Sequence, residues 1–186
     1  MKLFFKSFFL NARFFLIGGV IIFILILSYP FEILLPVALT SLLMFLLLVV
    51  SDTLMVFGPR VSLQASRSVS KMLSLGDDNP VTIALRNNSS LTLHVTILDE
   101  LPEQFQIRNF RYTRTLFPGQ PGEFVYPLKP VTRGEYFFGD LHCFIRTRLG
   151  LVKRRITFPL GIMIPVYPSI IQMKRFELKS FVRTSM

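Results

Sequence analysis

Two long uncharged runs near the N-terminus constrain this chain more than any other feature. Residues 14–28 and 33–51 contain no Asp, Glu, Lys or Arg. Each run approaches the roughly 20 apolar residues that a helix needs to cross a bilayer. Only a short segment containing Pro30 separates the runs, and proline ends a helix. The pattern predicts a transmembrane helical hairpin with spans at about residues 14–29 and 33–51.

Cationic side chains flank the predicted hairpin on one side only. The loop between the spans carries Glu32 but no Lys or Arg, whereas cations lie before the first span and after the second: Lys2, Lys6, Arg13, Arg60, Arg67 and Lys71. Because cytoplasmic flanks carry the excess of Lys and Arg, we expect both ends of the chain to be cytoplasmic. A cleaved signal peptide is the competing interpretation, but no small-residue cleavage site follows the first run.

One carboxylate directly follows the second uncharged run. Asp52 could be a buried functional group, since ionisable residues inside membranes are costly and often functional. Its place just past the last uncharged residue favours a side chain at the membrane–water interface instead. We therefore expect Asp52 to be interfacial.

From Arg60 onward, apolar and polar residues alternate in short segments separated by turn-forming residues. This pattern is typical of β-sandwiches and barrels. Besides alternating segments near residues 61–65, 81–85 and 91–97, strand candidates span 110–117, 123–128 and 162–167. The expected core includes Ile83, Leu85, Leu93, Val95, Tyr136 and Phe138. The fold class is predicted to be membrane-anchored all-β, with the hairpin in residues 1–59 and an Ig-like β-sandwich in residues 60–168.

A two-residue turn is predicted at Gly139-Asp140. Glycine in the first central position suits a type II′ hairpin, in which that residue has a positive φ. The flanking segments should then pair with each other. Beyond this turn, alternation places Leu141, Cys143 and Ile145 on one face of a strand, and Gly150 provides the next bend.

A basic cluster follows this turn, in a chain whose net charge is +10. Its members are Arg146, Arg148, Lys153, Arg154 and Arg155. A solvated sheet face, an anionic membrane surface and nucleic acid are all open interpretations of the cluster. Nucleic acid is the least supported partner, because the sequence contains no recognition helix, zinc spacing or RNA-binding sheet motif.

Catalytic chemistry finds little support in the sequence. His94 and His142 are the two histidines, and Cys143 is the single cysteine, so neither a metal site nor a Cys–His pair is indicated. His142 and Cys143 are adjacent, which places their side chains on opposite faces of a strand. We predict a non-enzyme that needs no cofactor and no metal.

Four segments carry a family resemblance: LDELPEQF at 98–105, TRGEYFFGD at 132–140, RLGLVKRR at 148–155 and IPVYPSI at 164–170. Together with the hairpin, they resemble bacterial membrane proteins of the family called domain of unknown function 58 (DUF58). The motif positions that we expect to be structural are Arg133, Gly134, Tyr136, Gly139, Gly150, Tyr167 and Pro168.

The resemblance implies a place in the bacterial plasma (inner) membrane, with two spans and a cytoplasmic β domain. It also implies a partner such as a MoxR-type AAA+ ATPase or a von Willebrand A-type protein. In the family the chain continues into a further domain with a tryptophan-containing signature, whereas this sequence has no tryptophan. We therefore expect a truncated chain in which residues 169–186 are a linker or the start of that domain.

The leading hypothesis is a non-enzymatic, membrane-anchored scaffold or interaction module, part of a MoxR-linked assembly or chaperone-like system. One alternative is anionic-lipid or nucleic-acid binding through the basic cluster. The other is that the chain anchors an enzyme whose site lies in the missing domain.

Overall fold

Two apolar helices open the fold. The structure is a computed structural model that describes residues 6–107 and 110–168. Helix α1 spans Ala12–Leu27, and a 3-10 turn at Glu32–Leu34 leads into helix α2, Leu35–Phe57. Of the helices described, only the stretch Glu32–Phe57 is long and apolar enough to cross a membrane, whereas α1 has 16 residues and is shorter. The helices contact each other where the rings of Phe14 and Phe45 lie 5.2 Å apart.

Eleven strands are present in the described part of the chain, which confirms the expectation that the fold is mostly β outside the helices. They are β1 (Phe8–Leu10), β2 (Leu63–Ser68), β3 (Leu73–Leu75), β4 (Asn79–Asn87), β5 (Leu93–Asp99), β6 (Arg111–Leu116), β7 (Pro121–Leu128), β8 (Gly134–Phe138), β9 (Leu141–Arg146), β10 (Val152–Phe158) and β11 (Ile162–Pro168). The segment 169–186, expected to be a linker or part of a further domain, lies outside the described residues, as does Lys2.

The strands form three sheets around one core. A five-stranded sheet has the order β1-β10-β9-β5-β6, and two three-stranded sheets have the orders β3-β11-β8 and β2-β4-β7. The core cluster draws residues from all three sheets. All six expected core residues are buried, none being more than 4% exposed, so that prediction is confirmed: Ile83, Leu85, Leu93, Val95, Tyr136 and Phe138. Period-two alternation was a sufficient signal here because each strand has one face against this core.

The first strand comes from the N-terminal segment, before the helices. β1 pairs antiparallel with β10, and its Leu10 lies opposite Val152. The chain therefore contributes one strand to the five-stranded sheet, leaves through α1 and α2, and returns to build the remaining strands. The sequence analysis assigned no strand to this segment, since three residues next to a long apolar run show no period of their own.

The predicted hairpin at Gly139-Asp140 is wrong. β8 pairs with β11, whereas β9 pairs with β10 and β5, so the two flanking strands belong to different sheets. Gly139 is also not among the positive-φ glycines, which include Gly134 and Gly150. Gly139 and Asp140 instead form a crossover from one sheet to another. The Gly139 N–H stabilises this crossover by donating to the carbonyl of Glu100 at 2.9 Å.

A glycine is needed at this crossover because the chain passes close to Glu100. A Cβ atom built on Gly139 would lie 2.7 Å from the Cβ of Glu100, which is closer than two carbons can approach. The Glu100 side chain thus occupies the space that a side chain at 139 would need. The physical reason for a glycine at this position is therefore steric crowding and not a positive φ.

Replacing Gly139 by Ala should destabilise the β domain by about 1–3 kcal/mol, the usual cost of overpacking. The clashing atoms all belong to the Glu100 side chain, so Gly139→Ala and Glu100→Gly should cost less together than the sum of their separate costs. Urea unfolding in detergent, followed by circular dichroism, measures all four proteins of this cycle. Strict additivity would show that backbone conformation at 139, and not the contact with Glu100, demands the glycine.

Candidate functional site

A buried carboxylate on α2 forms the centre of the junction between the helices and the β domain. Asp52 is 0% exposed. Its Oδ2 accepts hydrogen bonds from the backbone N–H groups of Leu151 and Val152, both at 2.8 Å, and its Oδ1 accepts one from the Thr147 hydroxyl. The expectation of an interfacial Asp52 is therefore wrong: the side chain points into the loop between β9 and β10.

The three bonds explain how this charge can be buried. A buried ionised carboxylate is costly unless donors surround it, and bonds to a charged acceptor are stronger than neutral ones. The loop supplies those donors because Gly150 adopts φ 65, a left-handed conformation that turns the following N–H groups toward α2. Within the described residues, no Lys or Arg forms an ion pair with Asp52.

Residues at the start of α1 hold the same loop from the other helix. The Asn11 side-chain amide donates to the carbonyl of Gly150 at 2.6 Å, and its backbone N–H donates to that of Leu151 at 2.9 Å. Arg13 donates to the carbonyls of Arg148 and Leu149, at 3.3 and 3.1 Å. Asp52 binds the N–H groups of the loop while Asn11 and Arg13 bind its carbonyls, so both helices fix one six-residue segment. We call residues 147–152, with these three side chains, the junction.

Apolar packing continues the junction toward both helices. Leu151 and Val152 are buried and belong to one cluster with Ile21 of α1 and Phe45 of α2. Arg154 follows Val152 by two residues on β10, and its guanidinium carbon lies 5.3 Å from the centroid of the Phe57 ring. Arg154 also donates to the carbonyl of Val56 at 3.4 Å. The last turn of α2 is thereby packed against β10 and forms part of the β domain.

The structure does not gather the predicted basic cluster into one patch. Arg146, Lys153 and Arg155 alternate onto the outer face of the five-stranded sheet, Arg154 faces α2, and Arg148 lies in the junction loop. Burial lowers the pKa of Lys153, and the charges of Arg146 and Arg111 lower it further. The five cations are therefore divided among the outer sheet face, the contact with α2 and the junction loop.

The motif residues have separate structural roles. Gly150 makes the junction turn, and Gly134 has a φ of 137, which only glycine tolerates readily. The Tyr136 hydroxyl, on a buried ring, donates to the carbonyl of Thr132 at 3.0 Å. Three other motif residues are exposed at or near strand ends: Arg133, Tyr167 and Pro168. Only Gly150 takes part in the junction.

A buried ion pair elsewhere in the domain was missed from the sequence. Arg67 and Asp99 lie 2.5 Å apart with side chains 1% and 0% exposed, and the Tyr126 hydroxyl donates to the other Asp99 oxygen at 2.5 Å. Burial raises the pKa of Asp99, opposed by the bond from Tyr126 and by the charge of Arg67. Arg67 also donates to the carbonyls of Gly139 and Leu160, so it links β5 to two strand connections. Arg67 and Asp99 occupy core-facing positions of β2 and β5, so the alternation of these strands, continued to their ends, was the available signal.

Both histidines form hydrogen bonds with neighbouring side chains, and the single cysteine is buried. His94 Nδ1 bonds to the Thr115 hydroxyl at 2.7 Å, and His142 bonds to Glu100 at 2.7 Å and Thr157 at 3.0 Å. Burial raises the pKa of the Cys143 thiol to about 12. No group of three His, Cys, Asp or Glu residues that could hold a metal ion occurs in ranges 6–107 and 110–168.

Comparisons with known proteins give weak similarities. The sequence matches no protein-family model and no curated protein. The CARDB domain of the PF1109 protein from Pyrococcus furiosus, crystallised in complex with di-metal ions, is 8% identical, with a TM-score of 0.42 over 59% of this chain and 90% of that chain. A β-glucosidase from Erythrobacter marinus is 14% identical, with a TM-score of 0.40 over 57% of this chain and 16% of that one. The glucosidase is therefore matched over a small part of its length.

Replacing Asp52 by Asn should loosen the junction. An amide of the same shape cannot offer acceptors to all three donors, and its own N–H group faces backbone N–H groups, so the cost should be about 1.5–3 kcal/mol. Hydrogen exchange read by mass spectrometry should show faster exchange in residues 147–152, with the strands of the β2-β4-β7 sheet unchanged. Asp78→Asn, at an exposed turn, is the matched control and should leave the junction protected. Unchanged exchange at Leu151 and Val152 in the Asp52 variant would contradict the assigned role.

Proposed function

We propose that this chain is a non-enzymatic, membrane-anchored scaffold that presents its β domain to a protein partner at the cytoplasmic face. In this proposal α1 and α2 both enter the bilayer as a hairpin, and the β domain is an Ig-like sandwich. The exposed apolar surfaces of both helices support it, since residues such as Leu16, Phe23 and Leu47 are more than 60% exposed. Lipid is the solvent that favours such surfaces.

The junction is the single observation that carries the proposal. A flexible tether needs no specific contacts. In this chain Asp52, Asn11 and Arg13 fix one loop against both helices. β1 adds a second connection, because the strand next to α1 is hydrogen-bonded into the five-stranded sheet. Such a domain has a defined height and orientation relative to its helices, as a platform for a partner requires.

Two further features support a scaffold rather than an enzyme. Both histidines bond to neighbouring side chains, and the thiol is buried. The polar groups that the structure does bury, Asp52 and the Arg67–Asp99 pair, bond to backbone and hydroxyl groups within the fold. The partner class, a MoxR-type AAA+ ATPase or a von Willebrand A-type protein, is supported by the resemblance to the DUF58 family.

Cysteine labelling tests the membrane arrangement. The only native cysteine is buried, so single cysteines at Tyr29, between the helices, and at Val131, on the β domain, should be the reactive ones. With a membrane-impermeant maleimide, Tyr29→Cys should react in intact spheroplasts and Val131→Cys only after permeabilisation. The reverse pattern would contradict the cytoplasmic orientation, and labelling of both sites in intact cells would contradict the two-span hairpin.

Cross-linking in native membranes tests the scaffold function. The tagged wild-type chain and the Asp78→Asn control should both recover an AAA+ ATPase or a von Willebrand A-type protein. Asp52→Asn should recover less of the same partner at equal expression, because the loosened junction no longer orients the β domain. Recovery of neither protein class by the wild type would reject the partner, and equal recovery by Asp52→Asn would reject the role of the junction.

A further inference from the structure

A groove at the edge of β10 is lined by three cations. β1 pairs with β10 only as far as Arg154, so the rest of β10 has a free edge at this side of the sheet. Lys6 lies beside that edge, and the side chains of Arg154 and Arg155 reach it from opposite faces of the strand. The groove has a volume of about 480 Å³, and the hydroxyl residues Ser7 and Thr157 complete its polar lining.

Aromatic rings hold the two guanidinium groups of the groove in place. Arg154 lies over Phe57 at 5.3 Å, and Arg155 lies over Phe9 at 5.8 Å. Arg154 uses one nitrogen for its bond to the carbonyl of Val56, and a guanidinium has five N–H donors. Because stacking already orders these side chains, little rotamer entropy remains to be lost when an anion binds.

Among the described residues, no carboxylate lines the groove. Glu100 is near enough for the charge of Arg155 to lower its pKa, but the main cause of that lowering is the bond from His142, to which the Glu100 carboxylate is committed. Neither Arg154 nor Arg155 forms an ion pair with any residue of the described ranges. Three neighbouring cations without an ion-pair partner among the described residues repel one another, and an anion placed among them relieves that repulsion.

The groove lies just outside the lipid headgroup layer, within the reach of an arginine side chain, if α2 spans the membrane as proposed. Phe57, on its wall, is six positions past Ser51, the last residue of the uncharged run. At 1.5 Å per residue this is about 9 Å along the helix. The headgroup layer on each side of the hydrocarbon core is roughly 5–8 Å thick. A phosphate of the adjoining leaflet is therefore within reach of the arginines.

We propose that this groove binds a phosphate group, and that an anionic phospholipid of the adjoining leaflet supplies it. The lipid source rests on the proposed membrane anchoring, whereas the phosphate site rests on the groove alone. A headgroup held here would add a third connection between the β domain and the bilayer, beside the contact of Arg154 with the last turn of α2.

A tryptophan reporter makes the groove observable. The chain has no tryptophan, so Phe57→Trp gives a single indole in the groove wall, and an indole keeps the cation–π contact with Arg154. The full chain is placed in phosphatidylcholine nanodiscs at constant ionic strength. One arm raises the fraction of phosphatidylglycerol, and the other adds inorganic phosphate to pure phosphatidylcholine nanodiscs. We expect a saturable emission change in both arms, with phosphatidylglycerol saturating at a few per cent of the lipid.

Charge-neutralising variants of the reporter protein identify the site. Lys6→Gln with Arg155→Gln leaves the Arg154 contact with α2 intact and should weaken binding roughly 25-fold, about five-fold for each cation removed. The matched control, Arg86→Gln with Arg133→Gln, removes the same charge from exposed positions outside the groove and should bind like the reporter alone. The single change Lys6→Gln, at an exposed side chain, gives the five-fold step even if the double variant is unstable.

The two arms of the experiment distinguish a failure of this phosphate site from a failure of the proposed membrane-anchored scaffold. The proposal is supported if the response to phosphatidylglycerol saturates in the control variant and is lost in the groove variants. This outcome does not depend on which protein partner is recovered with the β domain. Binding of inorganic phosphate without any response to phosphatidylglycerol overturns the lipid source and, with it, the membrane height assigned to Phe57. Equal weakening in groove and control variants shows only a general surface potential and overturns the site, as does the absence of a response in both arms.

Discussion

The carboxylate of Asp52 is the constraint on which the arrangement of this protein depends. An apolar helix has no polar group with which to hold a soluble domain at a fixed angle, because lipid-facing side chains pack without direction. One buried charge changes this, since it must be surrounded by donors and those donors have fixed positions. Here the donors are Thr147 and the N–H groups of Leu151 and Val152. The helix and the loop therefore fix each other's position, and β10 continues from the loop into the sheet.

A second buried charge plays the same part inside the β domain. The Arg67–Asp99 pair joins β2 to β5, and through Arg67 it binds the connections that leave β8 and β10. Removing one partner of such a pair leaves an uncompensated charge, which costs more than the pair itself contributes. The three sheets are thus aligned by a polar network within an otherwise apolar core, as the helices are aligned with the sheets by Asp52. Both networks use backbone carbonyl or N–H groups of connections, where regular pairing leaves such groups free.

The sequence predicted those parts of the fold whose signal is local. Alternation along β4 and β5 identified Ile83 and Leu93 as core because it depends only on which face of a strand a residue occupies. The prediction of a hairpin turn at Gly139-Asp140 was wrong because its local signal, a glycine between two strands, is shared by hairpins and crossovers. Only the pairing of β8 with β11 distinguishes the two. Gly150 was recognised as a bend, but its role could not be, since the groups that it positions bond to residues about 100 positions away. Arg67 and Asp99 each showed a local anomaly, because a charged residue occupied a core-facing position of its strand. That local signal did not indicate that the two residues form a pair.

The interfacial position predicted for Asp52 was wrong because the groups that enclose its carboxylate are distant in the sequence. The residues that enclose its carboxylate follow it by 95 to 100 positions. In the closed junction three protein donors replace water at this carboxylate, and β1 pairs with β10 across a still longer separation in the sequence. Asp52 therefore fixes the orientation of the β domain relative to α2 through contacts that no local sequence pattern could indicate.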